Sequence, residues 1–160
     1  MTATQTVSSS VFAPTSVVAT LTERHDPDAF FRTRPGLWVD NNFRNLVVLK
    51  AKPTEAGQSL TAKPQTLGRD ASDAEIEAEL GSAHLFEESA LCALIAGLIT
   101  AQPEGKVGPL LNNGYANLLF LPSCVVVVRW DTVSHEWSVL AWQRSVDRWR
   151  AGRPVFSPAS

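Results

Sequence analysis

A chain of 160 residues is within the range of one domain, and its 44 % apolar fraction can supply one hydrophobic core. A formal charge of −2 excludes the strong global field that would favour nucleic acid or an anionic membrane. The two cysteines, Cys92 and Cys124, are far apart and set in apolar runs. They read as buried free thiols, a disulfide being the less favoured pairing.

Residues 1–15 are small and hydroxyl-rich without periodicity, which predicts a flexible arm ahead of a single α+β domain over 16–160. Residues 1–22 hold ten Ser or Thr and no positive charge, without the basic start and apolar stretch of a secretory signal. No apolar run is long enough to span a bilayer, so the expectation is a soluble cytoplasmic protein with no membrane partner. Val17, Val18 and Leu21 give Ser16–Thr22 the character of an edge strand. Asp26 as N-cap, Pro27 at the first helical position and Asp28 in the first turn predict a short helix, stopped near Arg34 by Pro35-Gly36. Leu37–Asp40 reads as a strand.

Phe43–Ala51 is ambiguous. Phe43, Leu46, Val47 and Lys50 fit a helical spacing with Asn42 as N-cap, whereas Val47-Val48-Leu49 favours a strand; the preferred reading is a hairpin. Ser59–Leu67 reads as extended, with Pro64 confining it to an edge or a bulge. Ser72 with Glu75 is a capping box for a helix over Asp73–Leu80, and Gly81 is its stop. Phe86–Gln102 is the main helix: Leu91, Leu94, Ile95 and Leu98 form one apolar stripe, and Pro103 ends it.

Tyr115–Leu121, Cys124–Asp131 and Glu136–Gln143 are three strands joined by tight turns, an antiparallel meander. Trp130 and Trp137 flank the last turn and are placed to pair across it. Beyond Gln143 the chain becomes basic and aromatic, and Gly152 and Pro154 end any regular element. The expected fold class is therefore α+β. An antiparallel sheet that includes the C-terminal meander packs against one main apolar helix, with one or two short helices besides.

No strong catalytic or metal motif is present. His25, His84 and His135 have no His or Cys at zinc-ligand spacing. There is no nucleophile elbow, P-loop or dinucleotide fingerprint, and Gly105, Gly108 and Gly114 read as turn residues. Cys124 needs a neighbouring base to be reactive, and His84 or His135 are the candidates to come near it in space. Asp70, Asp73, Glu75, Glu77, Glu79, Glu87 and Glu88 cluster in nineteen residues and read as a solvated acidic face, or else a docking face for a basic partner. Arg144, Arg148, Arg150 and Arg153 fall within ten residues beside Trp142 and Trp149. Arginine and indole suit binding hot spots, phosphate or bases. The plainer reading packs Val146 and Trp149 inward, with arginines covering the sheet edge.

The segments Phe30–Val39 (FFRTRPGLWV), Leu111–Asn117 (LNNGYAN) and Val155–Pro158 (VFSP) resemble small, mostly uncharacterised accessory proteins of bacterial mobile elements: plasmids, integrative elements or phage. The resemblance covers residues 25–158 and carries no catalytic motif. It implies a bacterial cytoplasmic setting and a role such as interference with a host defence complex. The leading expectation is a non-catalytic interaction protein, without cofactor or metal. It binds a protein partner through Trp142, Arg144, Arg148, Trp149, Arg150 and Arg153. The alternatives are a nucleic-acid-binding accessory protein using the same segment, and an enzyme whose site is assembled from distant residues.

Overall fold

The structure, a computed structural model, describes residues 16–144 and 148–158. The arm over residues 1–15 and the packing expected of Val146 lie outside them. Thirteen elements carry labels here: β1 (Val17–Thr20), α1 (Pro27–Phe30), β2 (Leu37–Val39), α2 (Asn41–Leu46), β3 (Ser59–Thr66), β4 (Ala71–Ser72), α3 (Asp73–Leu80), α4 (Glu88–Ala101), β5 (Asn117–Phe120), β6 (Cys124–Asp131), β7 (Glu136–Gln143), β8 (Arg148–Trp149) and β9 (Pro154–Pro158). The class is α+β. Seven strands form one mostly antiparallel sheet in the order β1-β3-β9-β5-β6-β7-β2, and β4 pairs with β8 in a separate two-stranded ribbon. The contacts β9–β5 and β7–β2 are parallel. No helix among the described residues is long and apolar enough to cross a membrane.

Alternation along the strands builds two cores. On one face Ala19, Ala62, Phe156, Leu119, Val126, Val128, Trp137, Val139 and Leu37 pack under α4, together with Phe31 and Phe43. On the other, Val155, Leu118, Phe120, Val125 and Val127 pack under Ile76 of α3 and Ala71, with Leu140 and Trp149 at the margin. A strand buried on both faces reads as an unbroken apolar run, which is why Cys124–Val128 carries four valines in succession. Helix α4 crosses the sheet at β1 so closely that a Cβ on Gly97 would lie 2.8 Å from Cβ of Ala19.

Local signals explain most elements. Asp26 accepts from the Asp28 amide at 3.1 Å, and α1 starts on Pro27. It stops at Phe30, earlier than the Pro35-Gly36 break, because Phe31 turns fully into the core against Phe43. The capping box of α3 is complete, with Glu75 N–H to Ser72 Oγ at 3.2 Å and Ser72 N–H to Glu75 Oε1 at 2.9 Å. Helix α4 starts later than Phe86: Glu87 is its N-cap, accepting from the Ala90 amide at 2.7 Å, while Phe86 N–H pairs with Phe120 O. Pro64 falls beyond the last β1 pair, Val17 with Ala62, where β3 has lost that neighbour.

Two expectations are corrected. Phe43–Ala51 is no hairpin but α2 followed by a 3₁₀ turn at Val48–Lys50. Burying both Phe43 and Val47, four apart, on the sheet edge outweighs the β-preference of the valines. Pro154 does not end regular structure; it opens β9, an interior strand between β3 and β5 with Val155 and Phe156 fully buried. Its proline sits at the first strand position, where the missing N–H is tolerated.

Candidate functional site

The acidic and basic segments meet each other. Strand β8 pairs with β4 at the N-terminus of α3, Ala71 opposite Trp149 and Ser72 opposite Arg148. Arg148 then grips the Glu75 carboxylate with both terminal nitrogens, at 2.7 and 3.3 Å. Arg144 donates to Glu77 at 2.9 Å and lies 3.5 Å from Asp73, its guanidinium over the Phe120 ring. The Trp149 indole N–H donates to Asp73 Oδ1 at 2.6 Å. Asp73 is buried, so the expectation of a uniformly solvated acidic face is corrected: one edge of α3 is the seat of the Arg/Trp segment. The backbone donor of the capping box, with Arg148 and Arg69 beside it, holds the Glu75 carboxyl below the ordinary range. Arg153 is elsewhere, stacked 3.9 Å above the Tyr115 ring. Arg150 is exposed.

What stays open is aromatic. Trp142 is 52 % exposed and packs against Trp149 with ring centroids 5.8 Å apart. Trp38, 39 % exposed, lies opposite Ser138 in the parallel β2–β7 pairing. Strand alternation puts Ser138, Leu140 and Trp142 on one face of β7, and Arg129 of β6 opposes Ser138 there. Trp38, Leu140 and Trp142 thus form a stripe on the face that α3 covers only in part. Arg129, opposite Ser138, is exposed beside it, and Arg148 and Arg150 are exposed as well. Of the six residues expected from sequence, Trp142, Trp149, Arg144 and Arg148 come together, Arg153 lies elsewhere, and Arg150 is exposed. Trp38, Leu140 and Arg129 were not anticipated. Their signal is strand parity, which is unreadable until β2 is known to pair with a strand a hundred residues away.

The chain matches no family model, no curated protein and no solved structure. Its chemistry therefore rests on its own geometry.

Cys124 is fully buried and burial pushes its thiol above the ordinary range, the reverse of an activated nucleophile. His135 lies past the far end of β6, roughly 23 Å along the strand from Cys124. His84 packs against Phe120, whose side chain is on the opposite sheet face from Cys124. Neither pairing considered from sequence is formed. No group of three or more metal-ligating side chains occurs among the described residues. A groove of about 670 Å³ lies between the β1–α1 connection and α4, lined by Arg24, His25, Phe30, Arg34, Gly97 and Thr100. Its cations are engaged: Arg24 with Glu55 at 3.4 Å, Arg34 with Phe30 O and over the Phe30 ring. His25 is buried beside Phe30 and Phe31, and that burial lowers its pKa.

Proposed function

We propose that the chain is a non-catalytic interaction protein that binds a protein partner through the Trp38–Leu140–Trp142 surface, with Arg129, Arg148 and Arg150 at its rim. The carrying observation is the exposure of two tryptophans on one sheet face, next to arginines. Trp and Arg dominate binding hot spots: the indole is a large, rigid contact surface, and the planar guanidinium makes several directed hydrogen bonds at once. The Arg144 and Arg148 ion pairs with α3 hold Trp149 under Trp142, so the platform is preorganised. The setting proposed is that of a bacterial mobile-element accessory factor acting on a host or element protein. Trp142→Ala and Trp38→Ala, made separately, test this: each removes an exposed side chain and is expected to weaken binding by about thirtyfold. Retained affinity in both would refute it.

A second reading has its own support. Indoles beside guanidinium groups on an open sheet face also stack bases of single-stranded nucleic acid. Against it stand the net charge of −2 and the neutralisation of Arg144 and Arg148 by Glu77 and Glu75. Its mark is a steep fall of affinity with salt. Single-stranded probes that fail to shift at low salt would remove it.

A further inference from the structure

We infer that the chain self-associates through the free edge of β1, two copies pairing antiparallel about a two-fold axis at Ala19. The seven-stranded sheet ends in β1 on one side and β2 on the other, and the two edges are finished differently. At β2 the outward main-chain groups are taken up within the chain. Leu37 exchanges N–H and C=O with Arg34, each at 2.9 Å, and Val39 N–H and C=O both meet Thr33 Oγ1, at 3.0 and 3.4 Å. Strand β1 has no such cover. Leu21 N–H bonds to Gln58 O, so in the β1–β3 register Ala19 and Val17 also turn their main-chain groups toward β3. Val18 and Thr20 therefore turn theirs away from the sheet, where they have no partner among the described residues. Both residues are exposed, Val18 to 58 %.

Exposed sheet edges are commonly guarded by a charge, a proline or a bulge. Residues 16–22 contain neither a charge nor a proline, and the β1–β3 register runs without a bulge. The complement of such an edge is another extended backbone, and a second β1 fits it. With the axis at Ala19, Val18 lies opposite Thr20 of the second copy and Thr20 opposite Val18 of that copy. Every outward N–H of these residues then meets a C=O of the other chain. The closest pair, at the axis, is alanine against alanine, and the pairing brings no like charges together. On that face Gly97, Thr100 and Ala101 of α4 line the groove beside Thr20, Leu21 and Thr22, and such small residues let a second α4 draw near. Strand β2 is at the far end of each sheet. The dimer thus carries its two Trp38–Leu140–Trp142 surfaces on one face, roughly 60 Å apart across the strands. The pairing stands without the proposed function; only the bivalence of the dimer rests on it.

The test is sedimentation equilibrium of the full chain across a wide range of concentration, with amide hydrogen exchange alongside. The apparent mass should climb from 17.4 kDa toward twice that value, and the Val18 and Thr20 amides should become protected as it does. Val18→Pro removes an outward donor from each copy without touching the β1–β3 bonds, and should weaken association about thirtyfold. Val18→Lys sets like charges across the axis and should weaken it about tenfold. Val18→Thr keeps the donor and should leave it unchanged. A monomer mass at every concentration, or association that survives Val18→Pro or Val18→Lys unweakened, would overturn the inference. So would protection of both amides that persists on dilution, which means an edge covered within one chain. If Val18→Pro fails to fold, Val18→Lys and the exchange data decide.

Discussion

Single residues carry sharp constraints here. Gly105 has φ of 71°, and a Cβ built on it would lie 2.4 Å from the Trp130 ring, which in turn stacks edge-on against Trp137. Gly105→Ala adds backbone strain to a clash that a buried indole cannot relieve. It should destabilise the fold by about 2–4 kcal/mol, read as a lower denaturant midpoint. An unshifted midpoint would mean the indole can move aside. His25 gives a pH signature. Burial lowers its pKa in the folded chain, with the Asp26 charge opposing in part. The unfolded chain therefore takes up a proton near pH 6.5 that the folded chain refuses. Stability is full above that pH and declines as pH falls from there toward the folded pKa, by at most about 1.4 kcal/mol per pH unit for one proton. His25→Leu should flatten that part of the stability–pH curve. Equal slopes in variant and wild type between pH 6.5 and 5.5 would contradict the assignment.

Among the elements, α3 joins the acidic cluster to Arg144, Arg148 and Trp149. Its capping box was legible because Ser72 and Glu75 act through local backbone geometry, and the same holds for Asp26-Pro27. The strands β6 and β7 were legible to their end residues from apolar runs bounded by turn chemistry. Phe43–Ala51 departs from the expected hairpin because burial on the sheet edge, not local propensity, decides its conformation. Strand β9 was missed because five residues flanked by prolines have no local signature; it exists through partners in β3 and β5. The pairing of α3 with Arg144, Arg148 and Trp149 is equally non-local, although both charged clusters stand out in the sequence. Within that pairing, Asp73 matters most, being buried and bonded to Trp149 and close to Arg144. Asp73→Ala should cost about 3 kcal/mol, since it leaves the indole N–H and a guanidinium short of a buried partner. Glu77→Ala, at an exposed pair, should cost under about 1 kcal/mol. Equal costs in urea unfolding would show that the clamp is not organised around Asp73.

At the scale of the molecule, one sheet has two unlike faces. One is closed by α4, α1 and α2. The other is closed by α3 only over part of its width, and there the Trp38–Leu140–Trp142 stripe reaches the surface. The measurement that bears most directly on the proposed function is a side-by-side capture from bacterial lysate. It compares the wild-type chain, Trp38→Ala/Trp142→Ala, and Leu49→Ala, a change at an exposed apolar residue outside the stripe. Proteins and nucleic acids would both be identified. One protein should be recovered in stoichiometric amount with wild type and with Leu49→Ala, and lost with the double tryptophan variant. Recovery of the same protein with all three chains, recovery of nucleic acid alone, or an empty capture with wild type would contradict the proposed function.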